Sequence, residues 1–120
     1  MDTFTTEKTA YKIRKQFEEG SVDQELLAQL YREYADVGDT LGFVAKAKDI
    51  FPHGNCGLAS LHLKKELGGE IVQGTYGKHE HTFLLVDDTV IDITTDQFGG
   101  PKVYVGPLRS PWLLKKSKSD

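Results

Sequence analysis

Cys56 is the only cysteine of the 120-residue chain, and it stands where a reactive thiol is expected. It follows the loop at residues 51–55 and opens a helical pattern over residues 57–67. The positive end of a helix and a nearby imidazolium both lower the pKa of a cysteine, and the thiolate is its reactive form. Downstream, His81 begins one strand-like run and Asp92 lies inside the next. This order of thiol, imidazole and carboxylate predicts an activated nucleophile.

The turn between the two strand-like runs decides whether the histidine and the aspartate meet. A two-residue turn at Asp87 and Asp88 makes His81 and Asp92 diagonal neighbours on one face, about 7–8 Å apart at the backbone. A three-residue turn places them on opposite faces. Asp92 lies among apolar residues, and a buried carboxylate needs a partner such as an imidazolium. Asp96 is the alternative carboxylate, because a shifted register brings it opposite His81.

Each of these residues has a distinct expected role in acyl chemistry. Cys56 attacks a carbonyl carbon, His81 moves the proton, and Asp92 orients the imidazole and stabilises its charged form. The backbone N–H of Cys56 holds the developing oxyanion, together with the side chain of Asn55 or Gln97. Gln97 is a candidate because its segment leaves the Asp92 strand and passes near the site. This chemistry needs no cofactor.

Two other interpretations of the same segment stay open. A zinc site is one, because three nitrogens and one sulfur form a plausible tetrahedral set, from His53, Cys56, His79 and His81. A non-catalytic protein-binding module is the other, with an aromatic recognition surface made by Tyr76, Phe83, Tyr104 and Trp112. An isolated cysteine is also commonly a buried, inert thiol.

The order of the predicted elements indicates an α+β domain. Apolar residues at helical spacing predict N-terminal helices over residues 6–19, from the capping box Ser21–Gln24 to Gly38, and over residues 40–48. Strands are predicted at residues 71–76, 81–86, 89–94 and 102–105. The wide apolar surface of the helix that carries Cys56 predicts central packing on a mostly antiparallel sheet.

Composition sets limits on the class of protein. With 38% hydrophobic and 28% charged residues, the chain is typical of a soluble globular protein. We expect one domain over residues 1–114 and a polar, disordered tail at 115–120. The net charge of −3 argues against nucleic acid as a partner. The charged N-terminus lacks a signal-peptide pattern, the apolar runs are too short to span a membrane, and a single cysteine suits a reducing compartment, so we expect a cytoplasmic protein.

The residues around the three candidates resemble the papain-like and transglutaminase-like cysteine hydrolase superfamily. The resemblance is carried by Asn55-Cys56-Gly57, by the run at 81–86 and by the run at 90–94. It implies a papain-like core in which the nucleophile helix packs on a sheet that supplies the histidine and the aspartate. It also implies a peptidase, deamidase or acyltransferase acting on a protein or a small amide or acyl substrate. The compact size resembles bacterial effector or toxin domains, which implies an inhibitory protein partner.

Overall fold

In the part of the chain that the structure describes, four helices are followed by a five-stranded sheet. The computed structural model describes residues 3–34 and 38–114. The helices are α1 (Thr3–Glu19), α2 (Gln24–Tyr34), α3 (Thr40–Ile50) and α4 (Cys56–Leu67). The strands are β1 (Glu70–Tyr76), β2 (His79–Val86), β3 (Thr89–Asp92), β4 (Tyr104–Pro107) and β5 (Trp112–Leu114), with a 3₁₀ turn at Thr95–Phe98. The α+β class is confirmed, and none of the described helices is long and apolar enough to cross a bilayer.

The sheet is antiparallel throughout, in the order β4-β3-β2-β1-β5. Val86 pairs with Thr89, which confirms the predicted two-residue turn between β2 and β3. Asp87 in that turn has a φ of 54°, a left-handed conformation that aspartate tolerates better than most residues. β5 was not predicted, because three residues are too few to show a periodic pattern. It is defined by its pairing with the last three residues of β1.

The two faces of the sheet carry different clusters of buried side chains. The helices pack on one face, where α4 contributes Leu58 and Leu63 against Leu84 of β2 and Ile91 of β3. The opposite face carries a smaller cluster, made of Phe83, Val90 and Trp112 with five partly buried neighbours. Side chains two residues apart share a face, so His81 lies on the same side as Phe83. The predicted central position of α4 on the sheet is therefore confirmed.

The start of α2 differs from the predicted capping box. The Asp23 carboxylate accepts hydrogen bonds from the backbone N–H of Glu25 and of Leu26, so Asp23 is the residue that caps the helix. The Ser21 hydroxyl instead donates to the carbonyl of Gln16, at the end of α1. The capping box was wrong because serine and aspartate are both good N-caps and the pattern alone does not choose between them.

The remaining boundaries follow the predictions to within a few residues. β3 ends at Asp92 rather than at residue 94, because the backbone N–H and the hydroxyl of Thr94 turn back to bond the Asp92 carboxylate. The predicted end of α2 at Gly38 is separated from Tyr34 by residues 35–37, which lie outside the described residues. The predicted polar tail at 115–120 also lies outside them.

Arg14 joins α1 to the segment that follows β3, a role that the sequence analysis did not find. Its side chain is 5% exposed and makes a two-pronged contact with the Asp96 carboxylate, at 2.7 and 2.8 Å. It also donates to the carbonyl of Ile93 at 2.8 Å, and its guanidinium lies over the ring of Phe51. Planar, two-pronged bonding of this kind is specific to arginine.

We expect Arg14→Lys to destabilise the fold by about 1–3 kcal/mol, because a lysine keeps the charge but loses the paired hydrogen bonds. Urea unfolding at neutral pH measures this change. Arg32→Lys is the matched control, since Arg32 is exposed and its replacement should change the free energy of unfolding by less than about 0.5 kcal/mol. Equal stability of the two variants would contradict the assignment.

Candidate active site

Cys56 is the first residue of α4, as the sequence predicted. The loop before it is fixed by Asn55, which is 1% exposed and donates both amide hydrogens to backbone carbonyls, of Ala47 and of His53, at 2.9 Å each. The Asn55 side chain does not cap the helix. Its amide is therefore engaged in holding the loop to α3 rather than directed at a substrate oxygen. The first N–H groups of α4, which lack partners within the helix, are left without a side-chain cap from Asn55.

His81 and Asp92 meet as the predicted register requires. Nε2 of His81 lies 2.6 Å from Oδ2 of Asp92, and both residues are 3% exposed. The other carboxylate oxygen accepts hydrogen bonds from the backbone N–H and the hydroxyl of Thr94. The imidazole is therefore held in one orientation by a carboxylate that is itself fixed.

Trp112 is a further partner of this carboxylate, and the sequence analysis missed that role. Its indole Nε1 donates to Oδ2 of Asp92 at 2.9 Å, onto the same oxygen that His81 contacts. The Trp112 ring stacks on Tyr104 with centroids 3.8 Å apart, and its edge meets Tyr76. No pattern in the sequence signals this contact, because Trp112 belongs to the unpredicted β5, three strands away from β3 in the sheet order.

The aromatic residues proposed as a recognition surface lie mostly inside the protein. Phe83 is fully buried and Trp112 is 3% exposed, while Tyr76 and Tyr104 are partly buried against them. These side chains form the second core, on the face of the sheet that carries His81 and Asp92. An exposed surface made by these four residues is therefore not present.

The thiol and the imidazole change each other's pKa. Burial raises the pKa of the Cys56 thiol, but His81 and the backbone N–H of Thr82 stabilise the thiolate and lower it overall. Burial likewise lowers the pKa of His81, but Asp92 and Cys56 outweigh this effect and raise it to about 9. These opposite shifts favour a thiolate beside an imidazolium at neutral pH.

The thiol interacts with β2 although α4 packs on the face of the sheet opposite to that of His81. Cys56 lies close enough to His81 and to the next residue, Thr82, for both to stabilise its thiolate. Nδ1 of His81 is buried and makes no fully formed hydrogen bond among the described residues. Looser contacts of this kind are common in catalytic pairs without substrate. An open crevice borders the pair, lined by Cys56, Gln73, Gly74, Glu80, His81 and Thr82.

The remaining candidates lie elsewhere or have other partners. Asp96 is bound to Arg14, so the structure brings Asp92, and not Asp96, to His81. Gln97 lies in the 3₁₀ turn, beside Phe98, whose ring meets the edge of His81. Its amide Nε2 is buried without a hydrogen-bond partner among the described residues.

The alternative zinc set is not assembled. Among residues 3–34 and 38–114, no three His, Cys, Asp or Glu side chains are grouped so that they could hold one metal ion. The ring of His79 stacks on Phe98 with centroids 4.5 Å apart, and His53 is exposed. The remaining histidine, His62, is 7% exposed and packs against Phe17.

Fold and site together define an α+β domain in which a thiol and an imidazole border one crevice and a buried carboxylate holds the imidazole. The sequence profile described as YunG protein matches residues 46–112, more than half of the chain. The chain therefore belongs to the YunG family. The matched segment contains Cys56, His81, Asp92 and Trp112, and excludes α1 and α2. No curated protein and no solved structure matches the chain.

The resemblance to papain-like and transglutaminase-like enzymes was wrong as an assignment of family. The matching family is a different one, and no papain-like or transglutaminase-like family matches. The error has a physical basis, because the same side-chain constellation recurs on unrelated folds and is defined by geometry rather than by chain order.

We expect the thiol of Cys56 to react with iodoacetamide at a lower pH than an ordinary cysteine, whose pKa is about 8.5. A lowered pKa means that the thiolate persists as the pH falls, and the rate should change again near pH 9, where His81 loses its proton. Alkylation rates measured from pH 4 to 10 test this. His81→Ala should shift the rate profile to higher pH, whereas the control His53→Ala, at an exposed position, should leave the profile unchanged. A wild-type profile identical to that of free cysteine would refute the pairing.

We expect Trp112→Phe to lower the free energy of unfolding by about 1.5–3 kcal/mol, since it removes a hydrogen bond to a buried carboxylate and keeps an aromatic ring. Tyr104→Phe is the comparison variant, because the Tyr104 ring stacks on Trp112. This change removes only an exposed hydrogen bond, from the Tyr104 hydroxyl to the carbonyl of Pro107. Urea unfolding of both variants gives the difference. If Trp112→Phe lowered the free energy of unfolding by no more than Tyr104→Phe does, the hydrogen bond from the indole would contribute little to stability.

Proposed function

We propose that the protein is a cysteine-dependent hydrolase or transferase that acts on an amide or acyl bond through a covalent thioester. One observation carries the proposal: the imidazole of His81 is held by Asp92 through Nε2, which leaves Nδ1 for the thiol of Cys56. This is the arrangement that a nucleophile, its base and an orienting carboxylate require. The substrate class is a protein or a small molecule with an amide or activated acyl group.

The first half of the reaction forms the thioester. The sulfur of Cys56 attacks the carbonyl carbon, a C–S bond forms, and the electron pair of the C=O bond moves to the oxygen. When this tetrahedral intermediate collapses, the bond to the leaving nitrogen breaks and the C=O bond is restored. The imidazolium of His81 gives its proton to the leaving amine, which departs neutral.

The second half regenerates the thiol. Neutral His81 takes a proton from water as the water oxygen attacks the thioester carbon. The C–S bond breaks, the carboxylic acid leaves, and the thiolate and imidazolium pair forms again. An amine or alcohol in place of the water gives acyl transfer by the same steps, so access of water to the crevice decides between hydrolysis and transfer.

The electrostatics of the site support both steps. Asp92 accepts hydrogen bonds from His81, Thr94 and Trp112, and a carboxylate bonded in this way stabilises the imidazolium. The pKa of His81, raised to about 9, keeps the ring charged at neutral pH as a proton donor for the leaving group. Burial of the pair strengthens these interactions relative to water.

Acyl-enzyme trapping tests the proposal. Incubation with p-nitrophenyl acetate, or with a panel of peptidyl, glutaminyl and acyl probes, should add one acyl group, detected by intact mass and located at Cys56 by peptide mapping. Cys56→Ala should remove the label completely. We expect Asp92→Asn to slow acylation about 100- to 10,000-fold, the usual range for loss of positioned acid and base catalysis.

Two controls separate this proposal from a role for the thiol in folding or metal binding. Asp88→Asn changes an exposed carboxylate in the β2–β3 turn and should acylate at the wild-type rate. His53→Ala removes a member of the alternative zinc set and should also have no effect. A wild-type protein that forms no acyl adduct with any probe, although its thiol remains accessible to alkylation, would overturn the proposal.

A further inference from the structure

The proposed reaction places a negative charge on the carbonyl oxygen, and that charge needs preorganised donors. The backbone N–H of Cys56 is one, because it is the first N–H of α4 and is not capped by Asn55. The Asn55 amide is already bonded to two backbone carbonyls. A second donor therefore has to come from another element that reaches the first turn of α4.

Tyr31 of α2 is packed against that first turn. A Cβ added to Gly57, the residue after the nucleophile, would lie 3.6 Å from Cε2 of the Tyr31 ring. Because Gly57 has no side chain, the ring lies directly over the backbone at the helix start. Cε2 is bonded to the ring carbon that carries the hydroxyl, so the hydroxyl oxygen lies two bonds from the ring edge that faces α4.

Neighbouring rings hold Tyr31 in place beside α4. Its centroid lies 4.8 Å from that of Phe43 and 6.0 Å from that of Tyr34. The Tyr34 hydroxyl accepts a hydrogen bond from the Gln73 amide at 2.9 Å, and Gln73 lines the crevice that contains the thiol. α2 thus places Tyr31 beside the first turn of α4 and Tyr34 against a residue that lines the crevice.

The Tyr31 hydroxyl stays protonated at physiological pH. Burial raises its pKa first, and electrostatic interactions with Tyr34 and Cys56 raise it further. The effect of Cys56 means that the phenol and the thiolate lie within electrostatic range of each other. A phenol that resists ionisation beside an anion is suited to donate a hydrogen bond to a second anion formed on the bound substrate.

We infer that Tyr31 supplies the second oxyanion donor, so that its hydroxyl and the backbone N–H of Cys56 together hold the oxygen of the tetrahedral intermediate. No proton is transferred, since the phenol donates a hydrogen bond that strengthens as the C=O electrons move to oxygen and weakens when the thioester forms. The inference rests on the proposed function, and it adds a catalytic residue outside residues 46–112.

Tyr31→Phe tests the inference, because it keeps the ring on Gly57 and removes only the hydroxyl. Two rates are measured on the same protein: acylation by p-nitrophenyl acetate, which forms an oxyanion, and alkylation by iodoacetamide, which does not. We expect acylation to fall about 100-fold, the usual loss for one oxyanion donor, while the alkylation rate and its pH profile stay at wild-type values. Tyr11→Phe, which removes an exposed tyrosine hydroxyl from α1, should leave acylation at the wild-type rate.

Other outcomes overturn the inference. An acylation rate of Tyr31→Phe equal to that of the wild type would refute it. Equal losses in acylation and alkylation would also refute it, because the hydroxyl would then contribute to packing or stabilise the thiolate rather than the oxyanion. If Gln97→Leu, rather than Tyr31→Phe, lost acylation selectively, the second donor would be the Gln97 amide. Failure of the wild-type protein to acylate at all would instead remove the proposed function, and the inference with it.

Discussion

The site depends on a carboxylate that is buried and fully bonded. Asp92 stands among apolar side chains at 3% exposure, where an ionised group without partners would be strongly disfavoured. It is compensated by His81 and Trp112 on one oxygen and by Thr94 on the other. These partners come from β2, from β5 and from the residues just after β3. The carboxylate thus links three parts of the fold and fixes the orientation of the imidazole.

This arrangement explains why the short strand β5 matters to the site. Three residues at the sheet edge are a weak structural element, yet β5 places Trp112 in the second core, where Tyr76 and Tyr104 hold its ring. The indole N–H then points at the carboxylate across the intervening strands. Trp112 thus belongs to the second core and also contacts the proposed active site. Packing on this face of the sheet is therefore coupled to the orientation of His81.

The two candidate carboxylates bind different cationic side chains. Asp92 faces an imidazole, whereas Asp96, four residues later, is engaged by the buried guanidinium of Arg14. Since Arg14 also bonds the carbonyl of Ile93, α1 holds the segment in which the chain leaves β3. The N-terminal helices therefore contribute to the site although the YunG match begins only at residue 46. α1 fixes the segment after Asp92, and α2 lies over the first turn of α4.

The sequence by itself determined the local features. Turn chemistry and alternation set the register of β2 and β3, and hence the meeting of His81 with Asp92, and helical spacing placed Cys56 at the start of α4. These are short-range properties, which neighbouring residues fix. The sequence did not determine the family, since the same order of three side chains occurs on unrelated folds. It also did not determine the N-cap of α2, for which Ser21 and Asp23 are both suitable residues.

Only the tertiary structure decided which distant groups complete the site. The bonds of Trp112 to Asp92, of Arg14 to Asp96 and of Asn55 to Ala47 join residues that no local pattern relates. The same holds for Tyr31 beside Gly57, and for a thiol that interacts with His81 although α4 packs on the opposite face of the sheet. Such contacts follow from how helices and strands pack in three dimensions, and buried polar groups take whatever partners that packing provides.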